Sequence, residues 1–485
     1  MLLYDMSGIT RRQALGALSA AALYGKEVPA DHFATGVKVG ELTPTSAVIW
    51  TRRTQSAKRN DAGIVRKGGG KEAKFLAPGT NIATLEGASM GGNGYARLMV
   101  EAVSGREKKR SINWVDLDPS ADFAHQFRLN DLSPATHYKF VIETSAAKGK
   151  SADGSLTGSF RTAPRESDRV PITFALSSCQ KYSQQDRQDG FWIYDALEKL
   201  KPAFLVSCGD NVYYDSDDPV ATDVAIARYH WDRMFSLPTL HSCLRTIPAY
   251  FQKDDHDLMS DDCFPGMKAP KQPDFSFVAG QKLFRQQIPA PLDNQPFYRR
   301  FRWGSDLEVW LPDSRDFRDA NSDPDGPTKS IWGEAQKQWL KQTLAQSTAR
   351  WKLLINPNPM IGPDHGRKKD NHANPTFATE SKEMRTWLRD HVGGQVILMN
   401  GDRHWQYHSV DPETGLHEFG CGPASDSHAV SPSGGEDKRY HKFLRIKGGF
   451  VTARVDPNDQ EAPLVLEHRD VQGRVVYRSV YGKRA

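Results

Sequence analysis

The chain has 485 residues, of which 38% are hydrophobic and 25% charged, and its net charge is +5. That length exceeds one ordinary domain, so two are expected, with the composition of a soluble globular protein. The small net charge and the lack of a long basic stripe argue against a nucleic-acid-binding surface, and nothing after the N-terminus is apolar enough to span a bilayer.

Residues 1–30 are expected to form an export signal. Thr10-Arg11-Arg12-Gln13-Ala14-Leu15 opens a mildly apolar, Ala-rich run from Leu15 to Tyr24, and Val28-Pro29-Ala30 would serve for cleavage. The adjacent arginines favour the twin-arginine route, which places the protein in the periplasm or outside the cell. An ordinary N-terminal helix with a chance Arg pair is the competing reading, and Met6 is an alternative start. Five cysteines, at 179, 208, 243, 263 and 421, are odd in number and widely spaced, which does not suit a disulfide framework.

Residues 31–164 read as a β-sandwich. Short strands are expected at Val37–Val39, Ser46–Trp50, Ala96–Val100, Phe123–Leu129, Tyr138–Thr144 and Ser159–Thr162, with loops at Gly68–Gly70, Gly87–Gly94 and Gly105–Arg110. Leu132, Pro134, Thr136 and Tyr138, just before an alternating strand, resemble the tyrosine corner of fibronectin type III domains.

Residues 169–485 alternate strands with helices, the pattern of an α/β domain. Strands are expected at Ile172–Leu176, Phe204–Cys208, Ala249–Gln252, Leu307–Leu311, Trp351–Ile355 and Gln395–Met399, and helices at Asp189–Leu200, Ala221–Phe235, Glu334–Gln346 and Thr379–His391. Phe450–Val455 and Leu464–Tyr481 read as antiparallel strands turning near Gln472-Gly473. Two insertions flank the expected site: the Pro-rich Asp261–Arg300, with an amphipathic piece at Val278–Gln287, and the basic Asp364–His372.

The strand ends carry the chemistry. They are followed in turn by Cys179-Gln180, Gly209-Asp210-Asn211-Val-Tyr213, Asp254-Asp255-His256-Asp257, Asp313-Ser-Arg315, Asn356-Pro-Asn358 and Gly401-Asp402-Arg403-His404. In α/β sheets ligands bind at that end. A thiolate, a phenol, several carboxylates and two histidines converging there point to metals. One Asp can bridge two cations, and such a pair clamps a phosphoryl group and acidifies a bound water. Each residue also has a plainer reading, as a buried thiol, a core aromatic, a solvated loop charge or a structural His. Arg315 is expected to pair with a loop carboxylate, with phosphate contact as its lesser role, and His408, His417 and His428 are read as structural or surface residues.

Gly209-Asp210-x-x-Tyr213, Asp254-Asp255-His256-Asp257 and Gly401-Asp402-x-His404 resemble the blocks of dinuclear metallophosphoesterases. With Ser178-Cys179-Gln180, Asp313-x-Arg315 and Gly333-Glu-Ala-Gln336-x-x-Trp339-Leu340 before Ala349-Arg-Trp351-Lys, the resemblance narrows to the alkaline phosphatase D (PhoD-like) family. It covers nearly the whole chain and implies an αββα sandwich of two mixed sheets behind a small β domain. It implies Cys179, Asp210, Tyr213 and His404 around an iron-like ion, with Asp210 bridging to a second ion held by Asp255 and Asp402. Asp254 would lie adjacent as a further metal residue, serving another divalent ion, Asn356 or Asn358 would complete the second site, and His256 would act as general acid or hydrogen-bond donor near the phosphoryl oxygen or leaving group. Asn211 and Arg315 remain candidate substrate contacts. Asn211 and Asp257 depart from the family's usual Gly-Asp-Tyr-x-Tyr and Asp-Asp-His-Glu, which bears on substrate preference.

The implied cofactors are ferric iron plus a divalent ion, with calcium favoured and manganese, magnesium or zinc as alternatives. The implied reaction is hydrolysis of a phosphate monoester or diester by a metal-bound hydroxide, on a small-molecule, polymer-derived or lipid-derived ester, by a monomer. A phosphodiesterase, phospholipase D-like or nucleotide-specific activity is the alternative, and a non-catalytic secreted binding protein the reading from another class.

Overall fold

The computed structural model describes residues 31–66, 68, 74–104, 109–432 and 435–482. The expected signal at 1–30, most of Gly68–Gly70 and most of Gly105–Arg110 lie outside the described residues. Seven strands come first: β1 (Val37–Gly40), β2 (Ala47–Arg52), β3 (Tyr95–Ala102), β4 (Arg110–Asp116), β5 (Ala124–Leu129), β6 (His137–Ser145) and β7 (Gly154–Arg161). They make two antiparallel sheets, ordered β1-β2-β5 and β4-β3-β6-β7. Val39, Ile49 and Phe127 of the first meet Leu98, Ile142 and Leu156 of the second in the core between them. At the entry to β6 the Ser133 amide donates to Tyr138 Oη at 2.8 Å. Sequence reading missed β4, whose side chains are all part-exposed or exposed, so no apolar face marks it.

The larger part alternates: β8 (Ile172–Ser177), α1 (Trp192–Leu200), β9 (Leu205–Cys208), α2 (Val224–Phe235), α3 (Pro238–Leu244), β10 (Ala249–Gln252), α4 (Phe277–Gln287), β11 (Arg299–Trp303), β12 (Leu307–Leu311), α5 (Gly333–Gln346), β13 (Trp351–Asn356), α6 (Ala378–His391) and β14 (Val396–Asn400). Six strands close the chain: β15 (Gln406–Val410), β16 (His417–Cys421), β17 (His441–Arg445), β18 (Phe450–Val455), β19 (Leu464–Arg469) and β20 (Val475–Tyr481). The helices start where capping allows. Asp223, whose side chain accepts from the Ala225 and Ile226 amides, caps α2 three residues beyond the expected start.

Two mixed sheets result, ordered β10-β9-β8-β18-β19-β20 and β11-β12-β13-β14-β16-β15-β17. Their inner faces pack on each other: Phe174, Leu176, Val206 and Val451 from one, Val309, Leu353, Ile355 and Ile397 from the other. Because strand side chains alternate, the opposite faces are also apolar and need cover. Ala175, Leu205 and Phe251 pack against Leu197, Trp231 and Phe284 of α1, α2 and α4. Trp310, Leu354 and Leu398 pack against Leu340, Leu344 and Met384 of α5 and α6. This is the expected αββα sandwich. β8, β9 and β10 run parallel in one sheet, as do β12, β13, β14 and β16 in the other. The chain therefore leaves each parallel set in one direction, and the loops that follow gather at one edge of the sandwich.

The small domain is bolted on by buried polar contacts. Arg52 on β2 pairs with Asp122 at 2.9 Å and reaches Asp232 on α2 at 3.1 Å. Lys38 donates to the Gln287 carbonyl at 2.7 Å. All five cysteines are free and buried. Among the described residues no helix is long and apolar enough to cross a membrane.

Candidate metal centre

Two glycines let the strand ends meet. Gly209 has φ +83°, and a Cβ there would stand 2.7 Å from Asp254 Cβ. A Cβ on Gly401 would fall 2.1 Å from Ser178 Oγ and 2.8 Å from the Cys208 carbonyl. The loops after β8, β9, β10 and β14 can touch only because both positions are bare. Beside them, Cys179 (φ +55°), Asp210 (+55°) and Asp402 (+59°) all hold left-handed backbone. Non-glycine residues rarely adopt it, and three expected ligands share it at three strand ends.

The first corner of the site is built from Cys179, Asp210, Tyr213 and His404. Cys179 Sγ lies 3.3 Å from Asp210 Oδ2, and Tyr213 Oη donates to the same oxygen at 3.0 Å. Tyr213 Oη is 3.4 Å from His404 Nε2. Ligand atoms of Cys179, Asp210 and His404 lie within 4.8 Å of one another. Asp210 Oδ1 is buried with no partner. Burial, then the negative neighbours, pushes the Cys179 thiol and the Tyr213 phenol well up. Burial, with Asp255 and Asp254 adding to it against His256, pushes the Asp210 carboxyl well up too. Burial and His428 push the His404 imidazole well down. The corner offers a sulfur, oxygens and a bare imidazole nitrogen around an orphaned carboxylate oxygen, and that donor set fits a cation.

The second corner is crowded with carboxylates set among arginines. Asp255 shares one 4.8 Å group with Asp210 and His256 and another with Asp262 and Asp370. Asp254 accepts from Arg315 Nε and, at 3.0 Å, from Asn358 Nδ2. Arg315 also pairs with Asp370 at 3.0 Å, and Arg403 pairs with Asp402 at 2.6 Å and Asp364 at 2.5 Å. Burial alone would raise Asp370; Lys368, then Arg315 and Arg403, hold it far below the usual carboxylate range. Asn356 spends its side chain on Trp332 Nε1 at 3.1 Å and the Asn358 carbonyl at 2.7 Å. Asn358 Oδ1, by contrast, is buried and unpartnered.

His256 closes the site from the loop after β10. Its Nδ1 is 2.7 Å from Asp215 Oδ1, and its ring packs 4.4 Å from that of Tyr213. Burial works against its protonation, but Asp215 and then Asp255 outweigh burial and hold its pKa well above the usual imidazole value.

The structure thus brings Cys179, Asp210, Tyr213, Asp255, His256 and His404 together. Asp254 sits among them with its oxygens engaged, and Asp402 reaches them paired to Arg403. The two candidate substrate contacts lie beneath the site. Asn211 is fully buried, takes Ser207 Oγ at 2.6 Å and gives its amide to the Gln252 carbonyl at 3.0 Å. Arg315 is equally buried, locked to Asp254 and Asp370. Asp257 takes the Asn211 amide at 2.7 Å and the Asp254 amide at 2.9 Å, so both departures from the family blocks stitch loops together. Three residues were missed: Asp215, Asp370 and His428, whose Nδ1 contacts the Cys179 carbonyl at 3.1 Å and whose ring lies 3.9 Å from His404. Asp370 had a usable signal, a lone carboxylate just after Lys368-Lys369. Ser425-Asp-Ser-His428 offered none.

Two layered mixed sheets covered by helices define a fold that solved structures share. A solved structure titled "Structure of PhoD" superposes with a TM-score of 0.69 at 17% identity, covering 94% of this chain and 90% of that one. The purple acid phosphatase PPD1 from yellow lupin (Lupinus luteus) seeds superposes at 0.61 with 12% identity, over 91% and 73%. The alkaline phosphatase D of Bacillus subtilis (strain 168) is 22% identical over 94% of this chain and 80% of its own length. The PhoD-like phosphatase family matches residues 174–448, and the N-terminal domain of PhoD-like phosphatases matches 18–164. The chain belongs to the PhoD-like phosphatase family. It is a phosphoric ester hydrolase.

Proposed function

We propose that the protein is an exported, metal-dependent phosphoesterase that cleaves phosphate monoesters or diesters by direct attack of water. The observation that carries the metal dependence is the first corner, where a buried carboxylate, thiol and phenol meet an unpartnered Asp210 oxygen with no Lys or Arg ion pair among the described residues. Cys179, Asp210, Tyr213 and His404 would hold a ferric ion, which thiolate and phenolate ligands favour. Asp210 would bridge to a divalent ion, calcium in preference to manganese, magnesium or zinc, shared with Asp255, Asp402 and the free oxygen of Asn358. Bound there, the ions neutralise charge on the phosphoryl oxygens and acidify a water to near-neutral pKa.

The chain's own residues do the rest. His256 holds a proton at the edge of the site and delivers it from Nε2 to the departing oxygen. Arg315 and Arg403 keep Asp254, Asp370 and Asp402 in place, and Asn211 with Asp257 fixes the loop that carries Asp210. The paired arginines of the N-terminus support export by the twin-arginine route. The strand order of the small domain, with its Tyr138 corner, supports a fibronectin type III-like sandwich.

The test joins elemental analysis of the purified protein to initial rates on 4-nitrophenyl phosphate and bis(4-nitrophenyl) phosphate. Iron plus a divalent ion is expected, and Asp210→Asn should lose several kcal/mol of transition-state stabilisation, about a thousandfold in rate. The ratio of the two rates then assigns the ester class. Protein that stays inactive when iron and divalent ions are supplied would overturn the reading.

A further inference from the structure

We infer that His408, His417 and Tyr481 form a zinc-type site, apart from the centre described above, that ties the last strand of one sheet to the facing sheet. The inference does not rest on the phosphoesterase reading. His408 lies on β15 and His417 on β16, while Tyr477 and Tyr481 lie on β20. β16 runs parallel to β14, whose end leads into Gly401-Asp402. His417 is the first residue of β16, so it sits at the end of the strand away from the ligand-bearing loops.

Strand alternation assembles the group. His408 stands opposite Phe419 in the antiparallel β15–β16 pair, and His417 is two residues from Phe419, so the two imidazoles share one face. On β20, at the edge of its sheet, Tyr477, Ser479 and Tyr481 are half-buried while Arg478 and Val480 between them are exposed. His408 Nε2 lies 2.8 Å from His417 Nδ1, and Tyr481 Oη lies 2.9 Å from His417 Nδ1 and 3.3 Å from His408 Nε2. Three donor atoms from three strands thus form one small triangle. Zinc holds imidazole nitrogens at about 2.0–2.1 Å, which sets ligand atoms on a tetrahedral ion about 3.3 Å apart. The triangle is already at or just inside that spacing.

The surroundings prepare the rings. Tyr477 Oη meets His408 Nδ1 at 2.9 Å and Phe419 stacks on the same ring at 4.2 Å, which holds Nε2 toward the triangle. Burial, then His417, with His468 and Lys442 adding, pushes the His408 imidazole down to about 3, and burial and then Lys442 lower His417. Both rings are therefore neutral near pH 7, the form that takes a metal. Lys442 itself is exposed, where solvent screens its charge. His417 and Tyr481 are half-buried, so an ion has a way in. As it binds, the Tyr481 phenol gives its proton to solvent and the phenolate oxygen takes the third position.

The experiment dialyses the metal-stripped full chain against zinc chloride at neutral pH and counts bound zinc. Zinc also suits the Asp210 centre, so the comparison is between Asp210→Asn and the same variant carrying His417→Ala, Tyr481→Phe or Tyr477→Phe. Asp210→Asn should bind one zinc more than its His417→Ala derivative, in which affinity at this site falls at least about 100-fold; Tyr481→Phe and Tyr477→Phe should each weaken it about tenfold. Zinc should raise the thermal midpoint of Asp210→Asn and leave that of the His417→Ala derivative in place, whereas calcium, which takes oxygen ligands, should not distinguish the two. The conservative Tyr481→Phe guards against a folding defect in the histidine variant. Equal zinc counts and affinities in all four proteins would leave only a hydrogen-bonded strut and overturn the inference. That result would not touch the phosphoesterase reading, because the Asp210 centre is the same in every protein compared.

Discussion

The Cys179–Asp210–Tyr213–His404 corner and the Asp254–Asp255–Asp370–Asp402 corner stand on neighbouring loops of the same sandwich, yet they differ in the cations set among their buried acid groups. In the first, burial pushes the thiol, the phenol and the Asp210 carboxyl well up. In the second, Arg315 pairs with Asp370 at 3.0 Å and Arg403 with Asp402 at 2.6 Å; Asp370 and Asp255 are held low, while burial still pushes Asp254 and Asp402 well up. Burial is nearly complete in both, so burial does not make the difference. Among the described residues no Lys or Arg forms an ion pair with Asp210, whereas Arg315 and Arg403 pair with the carboxylates of the second corner. The difference separates the Asp210 carboxylate, which no arginine pairs, from Asp254, Asp370 and Asp402, which two arginines hold in place.

The comparison predicts its largest effect at Arg315. Removing one partner of a buried ion network leaves uncompensated charge and costs about 3–5 kcal/mol. Arg315→Met should destabilise the metal-free protein by that amount in urea unfolding. A cost below about 1 kcal/mol would mean that the arginines do not hold this corner.

The first corner was legible in the sequence, as were Asp254, Asp255 and Asp402 of the second, whereas Asp370 and the particular arginine partners were not, for a physical reason. A strand end fixes one residue in space, so Cys179, Asp210 and His404 could be placed from three apolar runs and their following turns. Arg315 and Asp254 were legible as residues, but their pairing runs across two sheets, and no periodicity reports a contact 61 residues apart. Asp370 sat in a run that reads as a solvated basic loop, although it is fully buried. Fold elements failed on the same grounds. β8, β9, β10 and β12–β14 are buried on both faces and stood out as apolar runs. β15 (Gln-Tyr-His-Ser-Val) and β17 (His-Lys-Phe-Leu-Arg) carry mixed polar faces that only their neighbours explain.

A smaller effect concerns pH, where Asp210 and Asp370 should respond with opposite sign. Asp210 has its folded pKa raised above the usual 3.8, so what it adds to stability is present below about pH 3.8 and lost as pH rises through the folded value. Asp370 is lowered, so its contribution is present above 3.8 and lost as pH falls. Metal-free Asp210→Asn should therefore be more stable than the metal-free wild type at pH 8, by about 1–3 kcal/mol, with the gap closing towards pH 4. Adding iron and calcium should reverse the order, because only the wild type binds them well. Bound ions stabilise by about 2.7 kcal/mol at a hundredfold excess over Kd. If metal-free wild type is the more stable at pH 8, the first corner is not short of positive charge.

Asn358 joins the two corners and gives the smallest effect. Its Nδ2 serves the second, donating to Asp254 Oδ1 at 3.0 Å and Oδ2 at 3.2 Å, while its buried Oδ1 has no partner. A buried amide oxygen left bare costs free energy that an ion would recover, so Asn358 belongs to both kinds of group at once. Asn358→Ala should weaken divalent binding about tenfold, roughly 1.4 kcal/mol, while iron content stays unchanged because no ligand of that corner is touched. Calcium titration followed by thermal midpoint separates the two ions. Equal loss of both would make the amide a strut for the whole floor, and unchanged calcium affinity would leave its free oxygen without a role in either corner.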